Sequence, residues 1–286
     1  MEYDKEDLMY RTELMGNIKS ILLTTDGSKY SEGAVREGLL LAKSCSIRLT
    51  LLYVLGLSDT YETGGLTYVE NIGNDMNGYF NKLREKAVEE NVEVEIVIRR
   101  ANEAYKAIIS EAIERKTDII IMGRRGMSGL KRLVMGSVTA KVIAYSPCKV
   151  LVVPHKADIK GRTIMLATDG SEYSEHAQNE AVSMAKRCPY VNSFIALSVA
   201  GSEDTLPDAK SILDNVQKYS DNENVSLTPI SAIGTPYEAI LKQAERNNVS
   251  LIIMGTHGRT GISKLLLGSV AERVIALAAC SVLVVK

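Results

Sequence analysis

Aromatic residues, histidine and cysteine are all scarce in this sequence. The chain of 286 residues has no tryptophan, two phenylalanines, three histidines and four cysteines. None of the cysteines forms a Cys-x-x-Cys pair, so their spacing offers neither a zinc motif nor a redox motif. Each cysteine has a counterpart in the other half of the chain and is best interpreted as a small buried hydrophobic residue. No metal site and no catalytic residue is therefore predicted.

The sequence also lacks an excess of positive charge and a long apolar run. Its 34 basic and 35 acidic residues give a net charge of -1. Proteins that grip a nucleic-acid backbone usually carry a basic excess, so nucleic acid is not an expected partner. No apolar run reaches the roughly 20 residues that a membrane-spanning helix needs, and the charged N-terminus lacks the apolar core of a secretory signal. We expect a cytoplasmic protein without a membrane partner.

The chain consists of two copies of one pattern. The segment ILLTTDGSKYSEGAVREGLLLAKSC begins at Ile21, and IMLATDGSEYSEHAQNEAVSMAKRC begins at Ile164. A second matching pair begins at Thr117 and at Val249 and ends in VLVV in both copies. Repeats of this kind indicate a duplicated structural unit.

This repeat predicts two domains, 1–156 and 157–286, of which the first carries an N-terminal extension, 1–17. The short polar stretch Pro154–Gly161 would join them. The first copy is the longer one, and its excess falls in Leu57–Gly78, which is rich in Gly, Asn, Thr and Asp. We predict a long loop there.

Short β-branched apolar runs alternate with longer amphipathic ones in each copy. This alternation predicts an α/β fold, with a parallel sheet covered by helices on both faces and ligands bound beyond the carboxyl ends of the strands. Each copy ends in a strand, and bare edge strands tend to be paired. The two terminal strands, Lys149–Val153 and Val282–Val285, are therefore expected to pair with each other. The other predicted strands are Ile18–Thr24, Ile47–Leu55, Val92–Ile98, Asp118–Met122, Thr163–Ala167, Ser193–Val199, Val225–Ile230 and Leu251–Met254.

The most specific motif is a glycine-rich loop after the fourth strand of each copy. Gly123 is followed after two residues by Gly126, and after nine more by Gly136 and Ser137. The second copy repeats this spacing at Gly255, Gly258, Gly268 and Ser269. Glycines let backbone N–H groups approach an anion, and the helix that begins at each serine adds its positive dipole end. The alternative is a structural turn followed by an ordinary N-cap serine.

An aspartate follows the first strand of each copy, at Asp26 and Asp169. A carboxylate at this end of a parallel sheet would accept hydrogen bonds from a base or a ribose. The alternative is a turn aspartate, because Asp-Gly-Ser is strong turn chemistry.

Together these motifs resemble those of the universal stress protein family. The resemblance rests on TTDGS and ATDGS after the first strands, MGRRG…MGS and MGTHG…LGS after the fourth, and the closing VLVV strands. It covers nearly the whole chain and implies a Rossmann-like, five-stranded parallel sheet in each copy. The family pairs its last strands as a dimer does. Here that pairing would lie within one chain as a pseudo-dimer, with a homodimer as the alternative assembly.

The ATP-binding branch of the family implies the ligand, ATP or AMP, with Mg²⁺ accompanying ATP. Its aspartate lies near the adenine, a residue early in the second strand flanks the adenine, and the loop glycines and serine hold ribose and phosphates. The matching positions here, with two further loop residues, are Asp26, Leu49, Gly123, Arg124, Gly126, Gly136, Ser137 and Val138 in the first copy, and Asp169, Phe194, Gly255, His257, Gly258, Gly268, Ser269 and Val270 in the second.

The first loop departs from the family's usual G-[ST]-H-G because Arg124 and Arg125 replace the small residue and the histidine. Two guanidiniums would strengthen anion binding, or would point into solvent or across the domain interface. His257 in the second loop is interpreted as a hydrogen-bonding loop residue rather than a catalyst. Four further cations either reach phosphates or form a solvated face: Lys131, Arg132, Arg259 and Lys264.

The resulting hypothesis is a stress-response regulatory protein that binds adenine nucleotide as a sensor or switch. Two alternatives remain: a slow ATPase or self-phosphorylating enzyme, and a nucleotide-free scaffold. Intact glycine loops disfavour the scaffold, and the absence of an evident general base or nucleophile beside them disfavours the enzyme.

Overall fold

A single sheet of ten strands runs through both halves of the protein, in the order β3-β2-β1-β4-β5-β10-β9-β6-β7-β8. The computed structural model describes residues 15–56, 66–126, 134–157, 163–188, 191–258 and 267–286. All neighbouring strands are parallel except for β5 and β10 at the centre. The strands are β1 Ile21–Thr25, β2 Leu49–Gly56, β3 Val94–Ala101, β4 Ile119–Gly123, β5 Lys149–Val153, β6 Thr163–Ala167, β7 Ser193–Ala200, β8 Thr228–Ile233, β9 Leu251–Gly255 and β10 Ser281–Val285.

Helices cover both faces of the sheet and divide the core into two layers. Successive strand residues point to opposite faces, so Leu51 belongs to one apolar cluster and Leu52 to the other. Helices α1, α2, α5 and α6 pack on the first face, and α3, α4, α7 and α8 on the second. The helices are α1 Glu32–Cys45, α2 Leu66–Glu89, α3 Ala104–Glu114, α4 Ser137–Tyr145, α5 Glu172–Arg187, α6 Leu206–Asn222, α7 Pro236–Arg246 and α8 Ser269–Leu277.

The central strand pair joins the two halves. Strands β5 and β10 run antiparallel, with Val152 opposite Val282 and Leu151 opposite Leu283. The predicted pairing of the two terminal strands is therefore confirmed. It makes the arrangement an intrachain pseudo-dimer in which the strands of one half run against those of the other.

A buried ion pair crosses this junction. The Nζ atom of Lys149 on β5 lies 2.9 Å from Oε2 of Glu180 on α5, and both side chains are almost completely inaccessible to solvent. The other oxygen of Glu180 accepts a 2.7 Å hydrogen bond from the backbone N–H of Met15. Burial raises the pKa of the Glu180 carboxyl, and Lys149 opposes that rise.

The long loop predicted at Leu57–Gly78 is wrong over its second part, because α2 begins at Leu66. The glycine- and asparagine-rich sequence favours a loop. However, the second half of the helix buries Phe80 and Leu83 against the sheet, and this packing outweighs the weak local propensity. A glycine is tolerated at Gly78 because the position faces open space. Residues 57–65 lie outside the described part of the chain.

No helix within the described residues combines the length and the apolar character needed to cross a membrane.

Candidate functional site

Each half has a cavity at the carboxyl ends of its central strands. The chain passes from β1 to β2 on one side and later returns to β4 on the other, so a crevice opens where the strand order reverses. The cavity of the first half measures about 320 Å³ and that of the second about 400 Å³. Both volumes fall in the range of about 300–1,000 Å³ typical of small-molecule sites. We call them cavity 1 and cavity 2.

An Asp-Gly-Ser turn forms one wall of each cavity. The Oδ1 atom of Asp26 accepts hydrogen bonds from the Ser28 N–H at 3.1 Å and the Ser28 hydroxyl at 2.7 Å. Asp169 and Ser171 repeat both contacts at 3.1 and 2.6 Å. Gly27, between Asp26 and Ser28, has a φ of +75°, which an L-residue adopts only with strain. One carboxylate oxygen therefore performs the turn role that the sequence suggested as an alternative.

The second carboxylate oxygen faces the glycine loop. A methyl group on Gly126 would lie 2.6 Å from Asp26 Oδ2, and one on Gly258 would lie 2.5 Å from Asp169 Oδ2. Both aspartates also line their cavities. The same residue thus closes a turn with one oxygen and contacts the loop with the other, so the two alternatives for the aspartates are compatible.

A chain of hydroxyl groups fixes the turn of the first half. The Ser31 hydroxyl donates to Ser28 O at 2.8 Å, so Thr25 must donate to Ser31, also at 2.8 Å. The Tyr79 hydroxyl of α2 then donates to Thr25 at 2.7 Å. Burial raises the pKa of Tyr79 and keeps this donor protonated. The second half has the Thr168–Ser174 hydrogen bond at 3.1 Å.

The last glycine of each loop brings a helix N-terminus to the cavity. The Gly136 N–H donates to Arg124 O at 3.0 Å, and α4 begins at the next residue, Ser137. Gly268 donates to Thr256 O at 2.9 Å before α8 begins. Neither glycine has a side chain to cap its helix, so the first-turn N–H groups and the positive dipole end remain available to an anion. Cavity 1 is lined by Gly136, Ser137 and Val138, and cavity 2 by Gly268, Ser269 and Val270.

The first glycine of each loop has a packing role. A methyl group on Gly123 would lie 2.9 Å from Tyr30 O, and one on Gly255 would lie 2.8 Å from Tyr173 backbone atoms. These two positions require glycine because β4 and β9 end against the preceding turn. Both glycines still line their cavities.

The Arg124 side chain does not line cavity 1 and points across the junction of the halves, one of the alternatives that the sequence left open. The Arg124 Nη1 atom donates a 2.7 Å hydrogen bond to Ala278 O at the end of α8, across the junction of the halves. Burial, together with the neighbouring Arg125, lowers the pKa of Arg124. Arg125 is the arginine that lines cavity 1, and its Nε donates to Val134 O at 2.7 Å across the mouth of the loop.

His257 occupies the position of Arg125 in cavity 2. Its Nδ1 lies 3.1 Å from the Thr256 hydroxyl, and its ring lies 5.1 Å from that of Tyr173. These contacts agree with its interpretation as a hydrogen-bonding loop residue. Its Nε2 is buried and has no hydrogen-bond partner among the residues that the structure describes. Since an unpaired buried nitrogen costs free energy, this atom is suited to an acceptor supplied by a ligand.

Leu49 and Phe194 do not reach the cavities, contrary to prediction. Leu49 is the first residue of β2, lies opposite Ile21 and is completely buried. The cavities lie at the carboxyl ends of the strands, about 10 Å further along at 3.3 Å per residue. Phe194 pairs with Ile164 at the corresponding start of β7 and is likewise buried.

Sequence reasoning missed the apolar wall of each cavity. Residues later in the second strand line it, Leu52 and Val54 in cavity 1 and Leu197 and Val199 in cavity 2. The first helix residues on the second face complete it: Ala104 and Ile108 in cavity 1, Pro236 and Ile240 in cavity 2. The alternation of side chains along a strand could have revealed these positions, because it places Leu52 and Val54 on the opposite face of the sheet from Leu49.

The remaining cation predictions, Lys131, Arg132, Arg259 and Lys264, lie outside the described residues. Among the residues described, no group of three or more His, Cys, Asp or Glu side chains is placed to hold a metal ion.

The cavities fit a ligand with an apolar planar end and an anionic end. Apolar side chains line one side, and loop N–H groups with a helix N-terminus line the other. A carboxylate oxygen lies between them, suited to amino or hydroxyl donors. The buried Nε2 of His257, which has no partner among the described residues, adds a donor or acceptor to cavity 2.

Comparison with known proteins matches the chain twice to one family model, the Universal stress protein family, at residues 17–154 and 161–286. A universal stress protein of Methanocaldococcus jannaschii is 35% identical over 139 residues, which are 44% of this chain and 82% of that protein. YxiE of Bacillus subtilis is 32% identical over 145 residues, 46% of this chain and 97% of that protein. A universal stress protein structure from Archaeoglobus fulgidus matches 93% of this chain and 98% of its own, with a TM-score of 0.75 at 22% identity.

Proposed function

Because the chain belongs to the universal stress protein family, we propose that it binds adenine nucleotide in both cavities and acts as a regulatory protein in stress responses. The observation that carries this proposal is the matching construction of the two cavities. Each combines an aspartate turn, a glycine loop, a helix N-terminus and an apolar wall. Such duplication of a complete binding surface supports ligand binding in both halves.

The residues have distinct roles in this proposal. Gly126, Gly136 and the first turn of α4 hold the phosphates in cavity 1, with Arg125 as an additional cation. Asp26 accepts hydrogen bonds from the base or the ribose, and the wall at Leu52 and Val54 contacts the base. When ATP is the ligand, Mg²⁺ would be held mainly by the phosphates.

The second cavity uses the equivalent groups but replaces the arginine with a histidine. Asp169, Gly258, Gly268 and the first turn of α8 take the corresponding roles. The buried Nε2 of His257 gains a hydrogen-bond partner from a phosphate oxygen, which supports the placement of the phosphates beside this loop.

Calorimetric titration of ATP and AMP, with and without Mg²⁺, into the nucleotide-free chain tests this proposal. We expect about two equivalents of nucleotide to bind. The double variant Gly126→Ala, Gly258→Ala should lose binding, because the added methyl groups would lie 2.6 Å from Asp26 Oδ2 and 2.5 Å from Asp169 Oδ2, between the loop and the turn.

The matched control is Gly201→Ala, at a glycine with no atom within 4 Å of the added methyl. This variant should bind like the unmodified chain. One equivalent would restrict the proposal to a single cavity. No heat from either nucleotide, or full binding by the double variant, would contradict it.

A further inference from the structure

The two cavities are connected through the helices that begin at them. Helix α8 begins at cavity 2, and its last turn receives the Arg124 guanidinium from the first half, 2.7 Å from Ala278 O. Helix α4 begins at cavity 1, and its end receives the Lys286 ammonium from the second half, 2.7 Å from Ser146 O and 2.9 Å from Ala144 O. Each of these helices therefore ends on a cation from the opposite half.

The contacts are equivalent at the helix ends but not at the cations. Ser146 and Ala278 are the C-cap residues of α4 and α8. Arg124 belongs to the first glycine loop. The residue at the equivalent position of the second loop is Thr256. A threonine is too short to make the reciprocal contact, which Lys286 makes from beyond β10 instead.

Arg124 is the residue that belongs to both sites. Its N–H donates to Val153 O at 3.1 Å, and its carbonyl accepts the Gly136 N–H at 3.0 Å, so its backbone closes the loop of cavity 1. Its side chain holds the far end of a nine-residue helix whose first turn forms cavity 2. A helix of that length is about 14 Å long and moves as a unit.

The Arg124 contact is a favourable electrostatic link between the two halves. A guanidinium hydrogen bond to a carbonyl is charge-assisted, and a cation at a helix C-terminus also interacts favourably with the helix dipole. This hydrogen bond therefore ties the position of the first loop to that of the last turn of α8.

We propose that Arg124 couples the two cavities, so that nucleotide bound in one raises the affinity of the other. The inference rests on the proposed function. Nucleotide in cavity 1 contacts the backbone around Arg124 and fixes this residue, which holds α8 in its capped position. Cavity 2 then pays less ordering entropy when it binds. Thermodynamic linkage makes the effect equal in both directions.

The coupling factor is measured by comparing calorimetric titrations of ATP into three chains. Val54→Tyr obstructs cavity 1 and Val199→Tyr obstructs cavity 2 from the apolar wall, away from the loops. Each variant reports the intrinsic affinity of the other cavity. The coupling factor is the overall association constant for two ATP molecules on the unmodified chain, divided by the product of the two intrinsic association constants. We expect about five or more.

Substitutions at Arg124 then test which residue carries the coupling. Arg124→Thr, which installs the residue of the second loop, should reduce the factor to one. Arg124→Lys should retain part of it, since an ammonium can still reach a carbonyl. Arg100→Thr, the same change on the exposed edge strand β3, should leave the factor unchanged. A general loss of stability would alter the intrinsic constants, but it would not selectively reduce the coupling factor to one.

The failures of the two proposals are distinguishable. If the unmodified chain binds no ATP, both the proposed function and the coupling are wrong. If both cavities bind and the factor is one, the coupling alone is wrong. A factor that persists in Arg124→Thr would overturn the role of this arginine.

Discussion

The Asp26 carboxylate lies so close to Gly126 that no side chain fits between the first strand and the glycine loop. A methyl group at Gly126 would come within 2.6 Å of Asp26 Oδ2, and the second half repeats the relationship between Asp169 and Gly258 at 2.5 Å. Real carbon–oxygen contacts are longer, so an alanine must displace the carboxylate or the loop. The glycine of the loop and the aspartate of the turn thus form one unit in each half.

We predict that Gly126→Ala weakens nucleotide binding in cavity 1 by at least about tenfold, equivalent to about 1.4 kcal/mol. The displaced carboxylate no longer meets the base or ribose, and the loop moves off the phosphates. Calorimetry with the second cavity blocked by Val199→Tyr would measure the change. Gly78→Ala is the control: it adds a methyl group to an exposed helix with open space around it, and should stabilise the fold by about 0.5–1 kcal/mol without affecting affinity. Unchanged binding by Gly126→Ala would show that the carboxylate is not part of the site.

Removing one partner of the buried Lys149–Glu180 ion pair should destabilise the protein strongly, whereas replacing both partners by uncharged residues should destabilise it much less. Lys149→Met leaves a buried carboxylate without its cation, which we expect to lower the free energy of unfolding by about 3–5 kcal/mol at neutral pH. Adding Glu180→Gln should recover much of that loss, because no buried charge then remains. Urea denaturation of the two single variants and the double variant would measure both effects. Purely additive losses would contradict the pairing.

The pH dependence of the Lys149→Met loss follows from the sign of the Glu180 shift. Burial raises the pKa of this carboxyl, and loss of Lys149 would raise it further. A raised acid pKa contributes stability below its unfolded value, near 4.5, and that contribution is lost as pH rises through the folded value. The Lys149→Met loss should therefore be smaller near pH 5 than near pH 8. A loss independent of pH would contradict this account.

The fold was predictable from the sequence because its signals are local and repeated. Runs such as Lys149–Val153 are apolar at successive positions, which indicates strands covered on both faces. The glycine loops and the aspartate turns could be located because each follows the same strand in both copies of the repeat. The helix over Leu66–Gly78 was not predictable, because its local composition favours a loop and only packing of the following turns stabilises it.

Side-chain direction was the part of the site that the sequence could not supply. Arg124 and Arg125 are adjacent in the same loop, yet one crosses to α8 and the other lines cavity 1. Which one turns away depends on the antiparallel junction, which brings Ala278 within reach. The misplacement of Leu49 had a simpler cause, since position along a parallel strand decides which end of the sheet a residue occupies.

Tyr79 should stabilise the turn that carries Asp26. Its hydroxyl is the first donor in the chain through Thr25 and Ser31 to Ser28 O. Tyr79→Phe removes one hydrogen bond and should lower the free energy of unfolding by about 0.5–1.5 kcal/mol. Chemical denaturation would measure the loss, and amide hydrogen exchange at Gly27 and Ser28 should become faster. Equal exchange in both chains would show that the tyrosine does not hold the turn.

The Lys286 ammonium should cause the free energy of unfolding to increase as pH rises from neutral to alkaline values. Burial lowers the pKa of its ammonium from 10.5 to about 8, although the group donates to Ser146 O and Ala144 O. Between pH 8 and 10.5 the unfolded chain therefore binds more protons than the folded one, and stability increases with pH across this window. The shift of about 2.5 pKa units corresponds to about 3.4 kcal/mol at most, at 1.36 kcal/mol for each unit.

The contribution of Lys286 is isolated by comparison with Lys286→Met, because buried thiols act in the opposite direction. Burial raises the pKa of Cys148 to about 12 and that of Cys280 to about 11. The stability that these two thiols contribute to the folded protein is therefore lost as pH rises past their unfolded pKa, near 9. Both chains share most of that loss, because the Lys286 charge is the smallest of the causes that shift the Cys148 pKa. The difference in unfolding free energy, unmodified minus Lys286→Met, should grow from pH 8 to pH 10.5 and then level off. A difference that stays constant would mean that the ammonium is not desolvated at the end of α4.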